Sequence, residues 1–132
     1  ILAKKLQGAL PAIALTSQSS IFTAFVNDVD ADLVFAQQLL GYGKPGDVFI
    51  GITTSGNSSN IVFAACLANA LGIKTIGLTG RSGGRLKELC DVAIRVPADS
   101  TPYVQELHLP VYHALCAMIE EKFFGSKDKD QG

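Results

Sequence analysis

Gly51-Ile-Thr-Thr-Ser-Gly-Asn-Ser-Ser-Asn60 is the stretch on which the reading of this chain turns. It joins two elements of different period. Asp47-Val-Phe-Ile-Gly-Ile-Thr53 is a continuous apolar run of strand length. From Ser59 to Leu71 the apolar residues fall at helical spacing: Val62, Cys66 and Ala70 stack, as do Phe63, Leu67 and Leu71. Gly72 ends that helix. An apolar strand of this kind is covered on both faces, which points to a parallel sheet.

The same alternation extends in both directions. Upstream, Pro11-Ala-Ile-Ala-Leu-Thr16 reads as a buried strand, followed by a polar loop from Thr16 to Ser20. Two helices follow, the first around Ile21, Phe22, Phe25 and Val26, the second from Asp32 to Leu40. Gly41, Gly43 and Lys44-Pro-Gly46 then turn the chain. Downstream come a strand at Lys74–Thr79, a loop at Gly80–Gly84, a short helix at Arg85–Cys90 and a strand at Asp91–Val96. A long helix to about Phe124 is expected to have Thr101 as its N-cap and Pro102 at its first helical position, with Pro110 inside it, where a kink is expected. This order predicts an α/β fold, a doubly wound three-layer sandwich with a mainly parallel sheet. Residues 1–124 are expected to form one domain, and 125–132 a polar tail.

Ligands of such folds sit beyond the carboxyl ends of the strands, where the loops after Thr16, Thr53 and Thr79 gather. The loop after Thr53 is the one equipped for an anion. Backbone N–H groups and the positive end of the following helix face into it. Gly56 permits close backbone approach, and Thr53, Thr54, Ser55 and Ser58 add hydroxyls. The absence of lysine and of G-x-x-x-x-G-K spacing argues against a nucleotide P-loop. A capped turn without ligand is the plain alternative, though one or two hydroxyls would serve for that.

Composition removes several function classes. With 132 residues, 48% of them hydrophobic, the chain can bury a core. The net charge is −1 and Lys and Arg are scattered, so direct nucleic-acid binding is not expected. No apolar run is long enough to span a bilayer, and no signal peptide stands at the start, so a cytoplasmic protein is expected. Cys66, Cys90 and Cys116 lack metal-ligand spacing and read as reduced core cysteines. Lys4, Lys5, Glu120, Glu121 and Lys122 read as solvated faces.

The loop at Gly51–Asn60 resembles the phosphate loop of SIS (sugar isomerase) domains, and its Gly-Asn-Ser form is most similar to that of the phosphoheptose (sedoheptulose 7-phosphate) isomerases. The resemblance continues through Pro11-Ala-Ile-Ala-Leu15, Asn27-Asp28, Thr75-Ile-Gly-Leu-Thr-Gly-Arg-Ser-Gly-Gly84, Ile94-Arg-Val-Pro97 and Gln105-Glu-Leu-His108. It implies that Thr53, Thr54, Ser55 and Ser58 hold a sugar phosphate and that Asn27 and Asp28 border the sugar. From the residues alone, Asn27-Asp28 is a helix-ending turn.

Gln105 and His113 lie eight residues apart on the last helix, about 80° apart around its axis. The resemblance implies that both face the active site, with Gln105 a substrate contact and His113 a general acid/base. An imidazole suits that role because it titrates near neutrality. In some members the two help to hold zinc, but two ligands fall short of the three or four a zinc site needs. His108 and Glu106 carry no catalytic assignment; packing or a subunit contact is open to His108.

The implied activity is aldose–ketose isomerisation through a cis-enediol, in a homo-oligomer, tetramer or dimer. In the family the carbon base is a glutamate on an upstream helix preceded by an Asn-Gly-Gly-Ser loop. Ile1–Ala9 matches neither. The expectation is an N-terminally incomplete domain, inactive as an isomerase by itself. The alternative is a non-catalytic SIS module, a sugar-phosphate sensor or a replication-initiator-binding protein. The initiator-binding members lack a histidine at the position of His113, which favours the enzyme. An Asp often stands three residues before the matched Gln; here Pro102 takes that place.

Overall fold

The computed structural model describes Leu6 and residues 8–125. Its elements are helix α1 (Ser19–Asp28), a single 3-10 turn (Ala31–Leu33), helix α2 (Val34–Tyr42), strand β1 (Val48–Ile52), helix α3 (Ser59–Ala70), strand β2 (Lys74–Thr79), helix α4 (Leu86–Leu89), strand β3 (Val92–Arg95) and helix α5 (Thr101–Phe124). The three strands pair in parallel in the order β1-β2-β3. Ile50 stands opposite Ile76, and Ile76 opposite Val92. The helix-separated parallel ladder is the one the alternation predicts.

Phe49 carries the packed face of β1 into a core with Val34, Phe35 and Leu39 of α2, Ala64, Ala65 and Ala68 of α3, Ile73 and Leu86. The buried side of α3 is thus its alanines, with Val62, whereas Phe63 is 38% exposed. Small side chains let α3 lie close to both the sheet and α2. Gly51 serves the same approach: a Cβ there would stand 2.9 Å from Ile61 Cγ2.

Four expectations are corrected. Pro11–Thr16 forms no strand; Ile13 is 56% exposed. A strand is defined by its ladder, and no described strand pairs with this run. Strand β1 is covered on one face within the described residues, since Val48, Ile50 and Ile52 remain at least 50% exposed on the other. Cys66 and Cys116 are exposed rather than core residues, and Cys90 is half-buried. Finally, Ser100 rather than Thr101 takes the N-cap position of α5, with Thr101 the first helical residue.

Helix α5 runs unbroken through Pro110. Its buried residues are Val104 and His108, both in its first half. No described helix is long and apolar enough to cross a membrane. The Lys4-Lys5 pair lies outside the described residues, as does the expected tail apart from Gly125.

Candidate functional site

Strand β1 leaves the sheet at Thr53, whose N–H donates to Leu78 O at 3.0 Å. The chain then turns through Thr54–Ser58 and enters α3. Thr53 is 7% exposed, and its hydroxyl shares a 2.8 Å hydrogen bond with Ser58 Oγ across the mouth of the loop. Ser55 and Ser58 are exposed and Thr54 half-buried, its hydroxyl 3.5 Å from that of Thr101 at the start of α5. The structure therefore gathers Thr53, Thr54, Ser55 and Ser58 at one strand-to-helix turn.

Ser58 holds the N-cap position of α3 without a side-chain capping bond. Among the described residues, the N–H groups of Gly56, Ser59 and Asn60 donate to no protein acceptor. Open first-turn donors, hydroxyls and the helix dipole act on the same space, and each favours an anion there. A phosphate dianion placed there would meet several charge-assisted hydrogen bonds without needing a lysine.

The loop after β2 packs directly on this turn. Gly80 N–H donates to Thr54 O at 2.9 Å, and Leu86 N–H donates to Gly56 O at 2.9 Å. Arg85 N–H donates to Asn57 Oδ1 at 2.9 Å. Gly56 and Gly84 have φ of +71° and +50°, the left-handed region that glycine enters without strain. A Cβ on Gly84 would lie 2.5 Å from Ser55 O, so the two backbones meet with no room for side chains. Gly83-Gly84 after a strand is the signal by which this brace could have been found in sequence; Asn57 carries no such signal.

Beside the brace, a depression of about 400 Å³ is lined by Arg81, Ala93, Arg95, Val96 and Pro97. Arg81 is already committed there, donating to Asp99 Oδ2 at 3.0 Å and to Pro97 O at 2.9 Å. At the other end of β2, Asp91 accepts from Lys74 Nζ at 2.7 Å and from Thr75 N–H at 2.8 Å. The Lys74 contact first, then the Thr75 N–H and hydroxyl, hold the Asp91 carboxyl down at about 2. Burial, with the Asp91 charge adding, pushes the Cys90 thiol up against the opposing Thr75 hydrogen bond.

Among the described residues no hydrogen bond links the remaining candidates to the loop. Asn27 and Asp28 end α1 in exposed positions, and α1 packs on α2 and the 3-10 turn. Gln105 and His113 are exposed on α5, with the His113 ring edge-on to Tyr112 at 5.4 Å. Eight residues of helix separate the two by about 12 Å along the axis. No group of three or more His, Cys, Asp or Glu stands together among the described residues. The described residues therefore do not complete a zinc site around Gln105 and His113. His108 is instead a packing residue, 3% exposed, with Nε2 at 3.2 Å from Thr79 O.

Comparison with known proteins places these features in a family. A family model described as SIS domain matches residues 2–80. The phosphoheptose isomerase of a Nitratiruptor species is 51% identical over 120 residues, 91% of this chain and 64% of that protein. The phosphoheptose isomerase of Akkermansia muciniphila is 47% identical over 117 residues, 89% of this chain and 62% of that protein. Among solved structures, a phosphoheptose isomerase from Neisseria gonorrhoeae superimposes with a TM-score of 0.83 at 41% identity, covering 85% of this chain and 62% of that one. One from Francisella tularensis gives 0.84 at 40% identity, covering 87% and 62%. The chain thus spans less than two thirds of the length of these relatives. With the parallel sheet, the hydroxyl-lined turn and a family match over more than half its length, the chain belongs to the SIS domain family.

Proposed function

We propose that this chain carries the phosphosugar site of an aldose–ketose isomerase acting on a sugar phosphate such as sedoheptulose 7-phosphate. The observation that carries the reading is the turn after β1, where the Thr53–Ser58 hydroxyl pair and the open donors at the head of α3 converge without a lysine. Likeness to proteins named phosphoheptose isomerase supports the substrate class.

In this reading the turn holds the phosphate and fixes the sugar's reacting carbons by their distance from it. Moving the carbonyl between C1 and C2 passes through a cis-enediol. One group takes the carbon-bound proton and another exchanges a proton with the oxygens. His113 is assigned the second task and Gln105 a substrate contact, with Asn27 and Asp28 bordering the sugar. The carbon base is assigned, by resemblance, to a glutamate upstream of Pro11. No step is derived through zinc. The protein is assigned to the cytoplasm, which suits three free cysteines. It is also read as a homo-oligomer, and Tyr103, Met118 and Phe123 of α5, each at least 59% exposed, support an apolar contact.

The exposed position of His113, away from described partners other than Tyr112, favours a second reading in which the chain only binds sugar phosphate, as a sensor. The two are separated by following sedoheptulose 7-phosphate with the full-length protein. Turnover that His113→Ala abolishes supports the enzyme, and saturable binding without turnover supports the sensor. Equal affinity for sedoheptulose and its 7-phosphate would remove the phosphate assignment from both.

A further inference from the structure

Asn57 occupies the middle of the phosphate turn, yet its side chain is turned to the protein. Its Oδ1 accepts from Arg85 N–H at 2.9 Å, and its Nδ2 donates to Ser55 O at 3.3 Å. Its own N–H donates to Ser55 Oγ at 3.1 Å. One amide therefore ties the turn to the loop after β2 and also closes the turn on itself.

The consequence follows from peptide geometry. In a trans peptide the C=O and the next N–H point in opposite directions. The Thr54 carbonyl is drawn to Gly80 N–H, so the Ser55 N–H is directed away from the bracing loop. The Ser55 carbonyl is drawn to Asn57 Nδ2, which directs the Gly56 N–H away from that amide. The Gly56 carbonyl is taken by Leu86 N–H. The carbonyls of Thr54, Ser55 and Gly56 are thus each occupied by a protein donor, which leaves the N–H groups of Ser55 and Gly56, not these carbonyls, for the open side. A turn free to rotate one of these peptides would present a carbonyl oxygen to an anion and repel it.

We infer that Asn57 is a positioning residue for phosphate: it latches the turn onto the Gly80–Leu86 loop and so keeps the peptide donors of Ser55 and Gly56 aimed at the anion, without touching it. The inference rests on the phosphosugar reading of this turn and adds the device that makes it selective for anions. Donors held in place before binding need no reorganisation when the ligand arrives.

The test uses inorganic phosphate and sedoheptulose 7-phosphate, followed by the amide shifts of Ser55 and Gly56. Asn57→Ala is expected to weaken both ligands about tenfold, the loss of the latching hydrogen bonds being felt at a charged ligand. Asn69→Ala is the control. It removes a bond to Leu89 O and one to Thr75 Oγ1, away from the turn, and is expected to lower thermal stability with unchanged phosphate affinity. Should Asn57→Ala not fold, the natural protein still decides, because coupling is reciprocal. Saturating phosphate then slows hydrogen exchange at Arg85 N–H about tenfold if the latch and the anion support one another. Unchanged affinity in Asn57→Ala, or Arg85 exchange indifferent to phosphate, overturns the inference while leaving the phosphosugar reading standing. Failure of the natural protein to bind either ligand overturns both.

Discussion

His108 Nε2 lies 3.2 Å from the carbonyl oxygen of Thr79, in a contact that joins α5 to the end of β2. Because a carbonyl can only accept, the imidazole donates, and its proton sits on Nε2. Both residues are buried, at 3% and 0% exposure, and Thr79 adjoins Gly80, the residue that braces the turn after β1. The long helix is thus fastened close to the proposed site.

The first prediction concerns that fastening. His108→Leu keeps comparable bulk but removes the donor from a buried carbonyl. Urea unfolding is expected to show a loss of about 1–3 kcal/mol. Unaltered stability would mean that the contact contributes nothing.

The hydroxyl pair at the mouth of the turn is tested by Thr53→Val, which preserves shape, and by Ser58→Ala. Each is expected to weaken phosphate binding about ten- to hundredfold, as loss of a hydrogen bond to a charged ligand does. Since the two hydroxyls bond one another at 2.8 Å, their effects are expected to be non-additive in the double variant. Strictly additive losses in calorimetric titrations would show that they act separately.

Asp91 makes an acid-side prediction. Its carboxyl is lowered from an ordinary value of 3.8 to about 2 by Lys74 and by the Thr75 N–H and hydroxyl. The unfolded chain therefore binds a proton more readily than the folded one, and stability rises with pH across that window. The contribution is present above 3.8 and lost as pH falls through about 2. Asp91→Asn is expected to flatten that part of the stability profile measured by chemical unfolding. An identical acid limb in the variant would assign it to other carboxylates.

Thiol reactivity should divide the cysteines. Cys66 and Cys116 are exposed, whereas the Cys90 thiol is raised chiefly by burial and carries less thiolate at neutral pH. An aromatic disulfide reagent is expected to label Cys66 and Cys116 quickly and Cys90 slowly. Single-cysteine variants identify each phase, and fast labelling of Cys90 would contradict the described packing.

Much of the fold was legible because the relevant signals are local. Strand β1 announces itself by unbroken apolar residues, α3 by spacing and its closing glycine, and the turn between them by hydroxyls with Gly56. Pro11–Thr16 has the same apolar character and still forms no strand, because pairing belongs to two segments and composition to one. Which face of α3 is buried is not written in its spacing for a related reason. Phe63 and Cys66 fit the spacing, but the close approach of α2 and the sheet selects the alanines.

The sequence by itself determined the parallel α/β order, the lysine-free turn after Thr53 and the resemblance to sugar isomerase domains, since each is written in contiguous residues. Tertiary structure alone decided what lies against that turn. Asn57 meets Arg85 28 positions away, and His108 meets Thr79 29 positions away. Such contacts depend on how strands and helices pack, and a hydrogen bond formed across that distance leaves no local periodicity to read. The hydroxyls and open donors of the turn after β1 come from its own residues; what holds them in place comes from the loop after the next strand.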